Sequence, residues 1–219
     1  MKQITIFTFL LFCTVGIVSA KDIKITVFPS DAKIYVDGSY KADGIYTASL
    51  KKKDEFIVIK IEKAGYVTSE TKFFYNDKRK SVSYTLKEDE SLNNSILSAN
   101  ANQDFTVNVN PKYDAESAWK MINQVVLTYF DEIKTADRVS GYLQTNWIYQ
   151  RFPDSRIQVR TRITVKEIAV NQGLAYKVKV SSEIANINTN VEEGFSPWGR
   201  IIKTYDGFIS EIQSRLGGL

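Results

Sequence analysis

Histidine is absent from this 219-residue chain, and Cys13 is its single cysteine. Without imidazole or a second thiol, zinc centres built on His or Cys are excluded. So are Ser-His-Asp and Cys-His nucleophilic systems, and any histidine serving as a near-neutral general base. Disulfide staples are excluded too, so stability must come from apolar cores. No metal and no cofactor is expected. Chemistry based on carboxylate, Lys or Tyr is what remains.

Long apolar runs are equally scarce. One occurs, from Ile4 to Val18, and it falls short of the roughly 20 residues a membrane-spanning helix needs. It follows Met1-Lys2 and closes on Val18-Ser19-Ala20, small residues at the positions a signal peptidase reads. A charged start, a short apolar centre and a small-x-small exit describe a secretory signal peptide over residues 1–20. The chain is therefore expected to be exported, periplasmic or associated with the cell envelope. Cleavage after Ala20 would remove Cys13.

Apolar residues make up 43% of the chain, with 12 Tyr and 12 Phe, enough to bury ordinary cores. The formal charge is +4, and loss of Lys2 leaves it near +3. A mildly basic exported chain suits anionic envelope polymers or lipids and gives no argument for nucleic acid. Periodic apolar patterns stop at Lys87 and resume at Phe105. Between them KEDESLNNSILSANANQD is polar and rich in Asn and Ser, which predicts a linker over 88–104 joining two domains.

In the first domain, 21–87, Ile23, Ile25 and Val27 alternate with polar neighbours, the period of a half-buried strand. Ala32 to Val36 forms a second strand that runs into Asp37-Gly38, a strong hairpin signal. Further strands are predicted at Phe56 to Glu62, Thr68 to Tyr75 and Ser81 to Leu86, together a small β-sandwich. The stretches Ile25 to Gly38, Ile61 to Tyr66 and Val82 to Leu86 resemble a PEGA domain. That resemblance implies an extracytoplasmic β-sandwich used for binding or as a spacer, with no catalytic residues. Tyr40 and Tyr46, beside the hairpin, are the candidates for exposed rings that stack on sugars. Alternatively, the module's aromatics serve as core.

The second domain, 105–219, begins with a strand that stops at Pro111, and Asp114 offers an N-cap. Ala118, Trp119, Ile122, Val125, Val126, Tyr129, Phe130 and Ile133 form a helical stripe. Asp137 to Tyr149 reads as a turn feeding a strand. In the strand 156–166, Ile157, Val159, Thr161, Ile163 and Val165 share one face. Arg156, Arg160, Arg162 and Lys166 share the other. After Asn171-Gln172-Gly173, Tyr176, Val178 and Val180 alternate with Lys177 and Lys179, the antiparallel partner. Ser196-Pro197 is expected to open the last helix. The order β-α-β-β-β-α predicts a two-layer α+β fold, an antiparallel sheet with two helices on one face.

Ala118-Trp119, the run Val139 to Trp147 and the Arg-rich strand resemble the helix-grip domains of outer-membrane-assembly lipoproteins. The resemblance implies a non-enzymatic unit that associates with other envelope proteins. Lys21-Asp22 stand where that family carries a lipidated cysteine, so anchoring by that route is not expected, and peripheral association is left open.

Arg156, Arg160, Arg162, Lys177 and Lys179 are the candidate ligand-binding residues, placed to hold phosphate, carboxylate or an acidic protein patch. The competing reading is a solvated face balanced by Glu167 or Glu183. The carboxylate pairs Asp54-Glu55, Asp131-Glu132 and Glu192-Glu193 read as solvated surface rather than glycosidase dyads. The function expected is an exported, non-catalytic envelope protein that binds or helps assemble other envelope components, its partner an envelope protein or an anionic polymer. Carbohydrate binding to cell-wall or capsular polysaccharide is the alternative.

Overall fold

Strands dominate the structure, a computed structural model that describes residues 20–171, 173–190 and 193–217. The expected signal peptide thus lies outside the described residues except for Ala20, as do Gln172 and Glu192. Contacts divide the chain into two compact units, one ending at Leu86 and the other beginning at Lys87. No helix among the described residues is long and apolar enough to cross a membrane.

Among its described residues the first unit holds seven strands: β1 (Ala20–Phe28), β2 (Lys33–Val36), β3 (Ser39–Asp43), β4 (Ile45–Lys51), β5 (Phe56–Glu62), β6 (Ser69–Phe74) and β7 (Ser81–Thr85). They form two sheets, in the orders β4-β1-β7 and β3-β2-β5-β6. Ile23, Ile25 and Val27 from one sheet and Ile34, Ile57, Ile59, Ile61 and Phe73 from the other are buried in a single core. Each such side chain contributes roughly 1.5–3 kcal/mol by leaving water. The Asp37-Gly38 hairpin forms as predicted, with φ of 49° and 78°, the left-handed geometry a two-residue turn needs. β3 and β4 carry mixed patterns and were not separately anticipated. Gly44 joins them at φ 66°.

The second unit begins earlier than predicted. Residues 88–104 are not a linker. They contain α1 (Glu90–Asn93), capped by Asp89, and β8 (Ser95–Leu97). β8 pairs with β16 (Arg200–Ile202) through Ser95↔Ile202 and Leu97↔Arg200. Asn102, at φ 61°, accepts from the Ser182 N–H at 2.9 Å and donates to the carbonyls of Ser182 at 2.8 Å and Trp198 at 2.9 Å. Asn94 and Ser95 bond backbone carbonyls of α1, and Asn102 ties the segment to Ser182 and Trp198, so these polar side chains hold structure in place.

β9 (Asp104–Asn108) leads to α2 (Ala115–Tyr129), whose N-terminus Asp114 caps by accepting from the Ser117 N–H at 2.7 Å. Ala118, Trp119, Ile122, Val125 and Val126 are its buried stripe. The helix stops before Ile133, because β10 (Ile133–Asp137) opens a hairpin with β11 (Tyr142–Thr145). β12 (Ile148–Phe152), β13 (Ile157–Ile168) and β14 (Ala175–Asn186) follow. The sheet runs β10-β11-β13-β14, with β12 also on β13, and with β9 and β15 (Ser196–Pro197) on β14.

The last helix, α3 (Asp206–Gly217), starts ten residues later than Ser196. Ser196-Pro197 instead lies against Ile184 and Glu183 of β14. Proline is tolerated at a sheet edge as well as in a first helical turn, so the signal was ambiguous. Ile201 and Ile202, consecutive in β16, are both buried in the core of this unit. The β-α-β-β-β-α order is thus too simple, since strands also occupy 133–137, 148–152, 196–197 and 200–202. α2 and α3 meet where Tyr129 lies edge-on to Phe208, ring centroids 5.7 Å apart, with Phe130 and Tyr205, just outside the two helices, stacked at 4.8 Å; both helices share one core with Val159, Ile163, Val165, Val178 and Val180 of the sheet.

Candidate functional site

Side chains alternate across a strand, so burying Val159, Ile163, Val165, Val178 and Val180 beneath the helices sends Arg160, Arg162, Thr164, Lys166, Lys177 and Lys179 to the opposite face. Register then decides which of them meet. Arg162 lies across from Ser181, Thr164 from Lys179, and Lys166 from Lys177. The neighbouring strands extend these rows: Tyr142 pairs with Lys166 and Gln144 with Thr164, while Asp104 pairs with Lys179 and Thr106 with Lys177.

The result is a concavity of about 200 Å³ on the sheet face turned away from the helices. Arg162, Lys166, Lys177 and Lys179 line it, together with Asp104 as its one carboxylate among the described residues. Asp104 stands 3.9 Å from the Lys177 ammonium, both side chains almost half exposed. In such a setting a loose pair offsets little of the positive charge.

Beside the concavity, Trp147 carries two guanidinium groups, Arg160 at 4.4 Å and Arg162 at 4.2 Å from its ring. They differ in their partners. Arg160 also lies 4.1 Å from the Phe195 ring and forms a tight pair with Glu183, 2.6 Å to its carboxylate. Arg162 has no carboxylate partner among the described residues, and its buried Nε–H finds no acceptor there.

Of the predicted site residues, Arg160, Arg162, Lys177 and Lys179 come together on this face. Arg156 does not. It occupies the turn before β13 at φ 56°, where its N–H donates to the Pro153 carbonyl at 3.0 Å. The alternation that placed it on the strand begins one residue later, at Ile157. Tyr40 and Tyr46 belong to different sheets of the first unit. Tyr40 is 54% exposed, lies edge-on to Tyr35 with centroids 5.9 Å apart, and donates to Asp43 at 3.2 Å. Burial, and the Asp43 carboxylate it bonds, push its phenol up from the ordinary tyrosine value. Tyr46 packs against the core opposite Ile25, so it is not an exposed ring.

Asp104, Tyr142, Gln144 and Ser181 complete the lining, with Trp147 beside it. The first four were not singled out from sequence, because strand pairing places them there and one sequence does not reveal it. Trp147 reads from sequence as a core anchor sooner than as a ligand platform. A second polar cluster, also unanticipated, joins Arg138, Glu167 and Tyr176. Arg138 donates to Glu167 at 3.0 Å and lies over Trp119 at 5.7 Å. The buried Tyr176 hydroxyl donates to the same carboxylate at 3.3 Å. Burial first, and then the Glu167 charge, push that phenol up to about 12.

No protein-family model matches the chain, and no curated protein matches it. Among solved structures, a Bacteroides fragilis protein of unknown function, thought to be membrane-associated, aligns over 75% of this chain and 96% of its own. The two share 7% identity at a TM-score of 0.27, too little for fold or role to pass from one to the other.

Proposed function

We propose that this chain is an exported, non-catalytic cell-envelope protein that binds, and helps assemble, an anionic envelope component through the open basic face of its second unit. The signal-peptide pattern of residues 1–20 supports export. The absence of histidine supports binding over catalysis. We read the two units as two domains, a PEGA-like β-sandwich and a helix-grip-like α+β domain, with the boundary moved to Leu86/Lys87. The observation that carries the proposal is Arg162, Lys166, Lys177 and Lys179 gathered around one concavity with, among the described residues, a single carboxylate. Such a face attracts and orients an acidic partner.

The test is a photo-crosslinking residue at Ser181 in intact cells. An adduct with an envelope component is expected, and it should disappear in Lys177→Glu/Lys179→Glu. An adduct pattern indifferent to those reversals sinks the reading. Polysaccharide binding is the second reading, favoured by the exposed Tyr40 ring beside Tyr35. It requires that Tyr40→Ala or Arg160→Ala weaken binding to purified cell-wall or capsular polysaccharide, and unchanged affinity in both removes it.

A further inference from the structure

The geometry points to a phosphate group as what the basic concavity takes, with Arg162 as the gripping residue and Trp147 as its platform. This inference rests on the anionic-partner reading and narrows it to one chemistry.

The first observation is the asymmetry of the two arginines on Trp147. Both guanidiniums stack on the indole, which limits the orientations each can adopt. Glu183 neutralises Arg160. Arg162 keeps its full charge, held in place with a buried Nε–H that no described residue accepts. A planar, pre-oriented guanidinium is suited to two parallel hydrogen bonds to the oxygens of a tetrahedral or carboxylate anion.

The second observation is like charge facing like charge. Lys166 and Lys177 are directly opposed across β13 and β14, and Lys179 stands one pair further along the same face. Like charges directly opposite one another destabilise a sheet unless an anion lies between them. With Asp104 as the sole lining carboxylate among the described residues, the four cations there leave a surplus of three positive charges. A phosphate monoester carries close to two negative charges and three acceptor oxygens. A carboxylate brings one charge and two oxygens, and leaves more of the surplus unmet. The hydroxyls of Thr164 and Ser181 add neutral donors beside Arg162.

The third observation is size. Clefts that enclose whole ligands run to roughly 300–1,000 Å³, and this one holds about 200 Å³. It accommodates a charged group and leaves whatever bears that group outside. The phosphate is therefore either free inorganic phosphate or the head group of an anionic lipid.

The experiment titrates the full chain with inorganic phosphate and, at matched ionic strength, with the dicarboxylate succinate, following the Trp147 resonances by NMR. Phosphate should bind at least about tenfold tighter than succinate, in keeping with charge-assisted bonds. Arg162→Gln should weaken phosphate about tenfold. Arg162→Lys, which keeps the charge and loses the fork, should also weaken it clearly. Lys120→Gln, on the exposed surface of α2, should leave it unchanged, and an intact near-ultraviolet circular dichroism spectrum excludes misfolding of the variants. In a second arm, the chain is sedimented with phosphatidylcholine vesicles carrying phosphatidic acid, or an equal charge of fatty carboxylate. Arg162-dependent binding to phosphatidic acid alone identifies a lipid head group as the source. Tight binding of phosphate in solution with no vesicle binding identifies the free ion. Equal affinity for phosphate and succinate, or indifference to Arg162→Gln, overturns the phosphate assignment. The anionic-partner reading then still stands if the charge-dependent crosslink at Ser181 is seen, and falls only with that crosslink.

Discussion

Substituting Asn102 by alanine should destabilise the second unit by about 2–4 kcal/mol. Three side-chain hydrogen bonds would be lost, two to carbonyls and one from the Ser182 N–H. At about 0.5–1.5 kcal/mol each, these make up most of the figure. Ser182 is fully buried, so water does not readily replace the acceptor its N–H loses. Alanine also tolerates the φ of 61° less well than asparagine does, adding about 1 kcal/mol. Asn102→Gly separates the two effects, because it relieves the backbone while still removing the hydrogen bonds, and should be milder by about 1 kcal/mol. The assay is urea unfolding followed by tryptophan fluorescence. Trp119, Trp147 and Trp198 all lie in the second unit, so the signal reports on it alone. With a slope near 2 kcal/mol per molar urea, the midpoint should fall by about 1–2 M. A shift under about 0.3 M would refute the claim that residues 88–104 are structural parts of this unit.

Three further expectations concern separate sites. In Gly44→Ala, the new Cβ would meet the Ser30 carbonyl oxygen at a φ of 66°, at a residue tied by backbone hydrogen bonds to Val27 and Ala32. The loss should be about 3 kcal/mol in urea unfolding read by far-ultraviolet circular dichroism, and a neutral result would contradict the close approach. Asp77 is held down to about 2, from 3.8, chiefly by the Arg79 guanidinium that donates to it and then by the Arg79 N–H. Its folded carboxyl is the stronger acid, so its contribution is complete above about pH 4 and is lost as the pH falls towards 2. Asp77→Asn should flatten that part of the acid-unfolding curve, and an unchanged curve would count against the pairing. Tyr176 should be among the last of the 12 tyrosines to ionise, near pH 12. The neutral phenol is the form the fold favours, so this contribution is complete below about pH 10 and is lost as pH rises through 12. In a near-ultraviolet titration, Glu167→Gln should bring this last step to lower pH, and no movement would remove the carboxylate as a cause.

Much of the fold was legible from one sequence. Period-two alternation located β1, β2, β5, β13 and β14, the Asp37-Gly38 pair located a hairpin, and Asp114 with its stripe located α2. These signals are local: each depends on side chains a few residues apart and on the face they bury. Signals that one residue type shares between two structures failed. Ser196-Pro197 suits a helix start and a sheet edge alike, and the Asn-rich run 88–104 suits a linker as well as a set of side-chain caps and ties. Long-range pairing decides such cases, as when β8 pairs with β16 more than a hundred residues away.

The candidate site divides along the same line. Alternation alone put Arg160, Arg162, Lys177 and Lys179 on the side away from the apolar face, because Val159, Ile163, Val178 and Val180 have to be buried. Composition alone removed imidazole and thiol chemistry from consideration. Only the tertiary structure set Lys166 against Lys177, gave Arg160 its Glu183 partner and left Arg162 without one, and brought Trp147 beside both arginines. Those relations depend on register and on which strands are neighbours. Both are fixed by the packing of the whole sheet against α2 and α3, an energy summed over residues far apart in the chain.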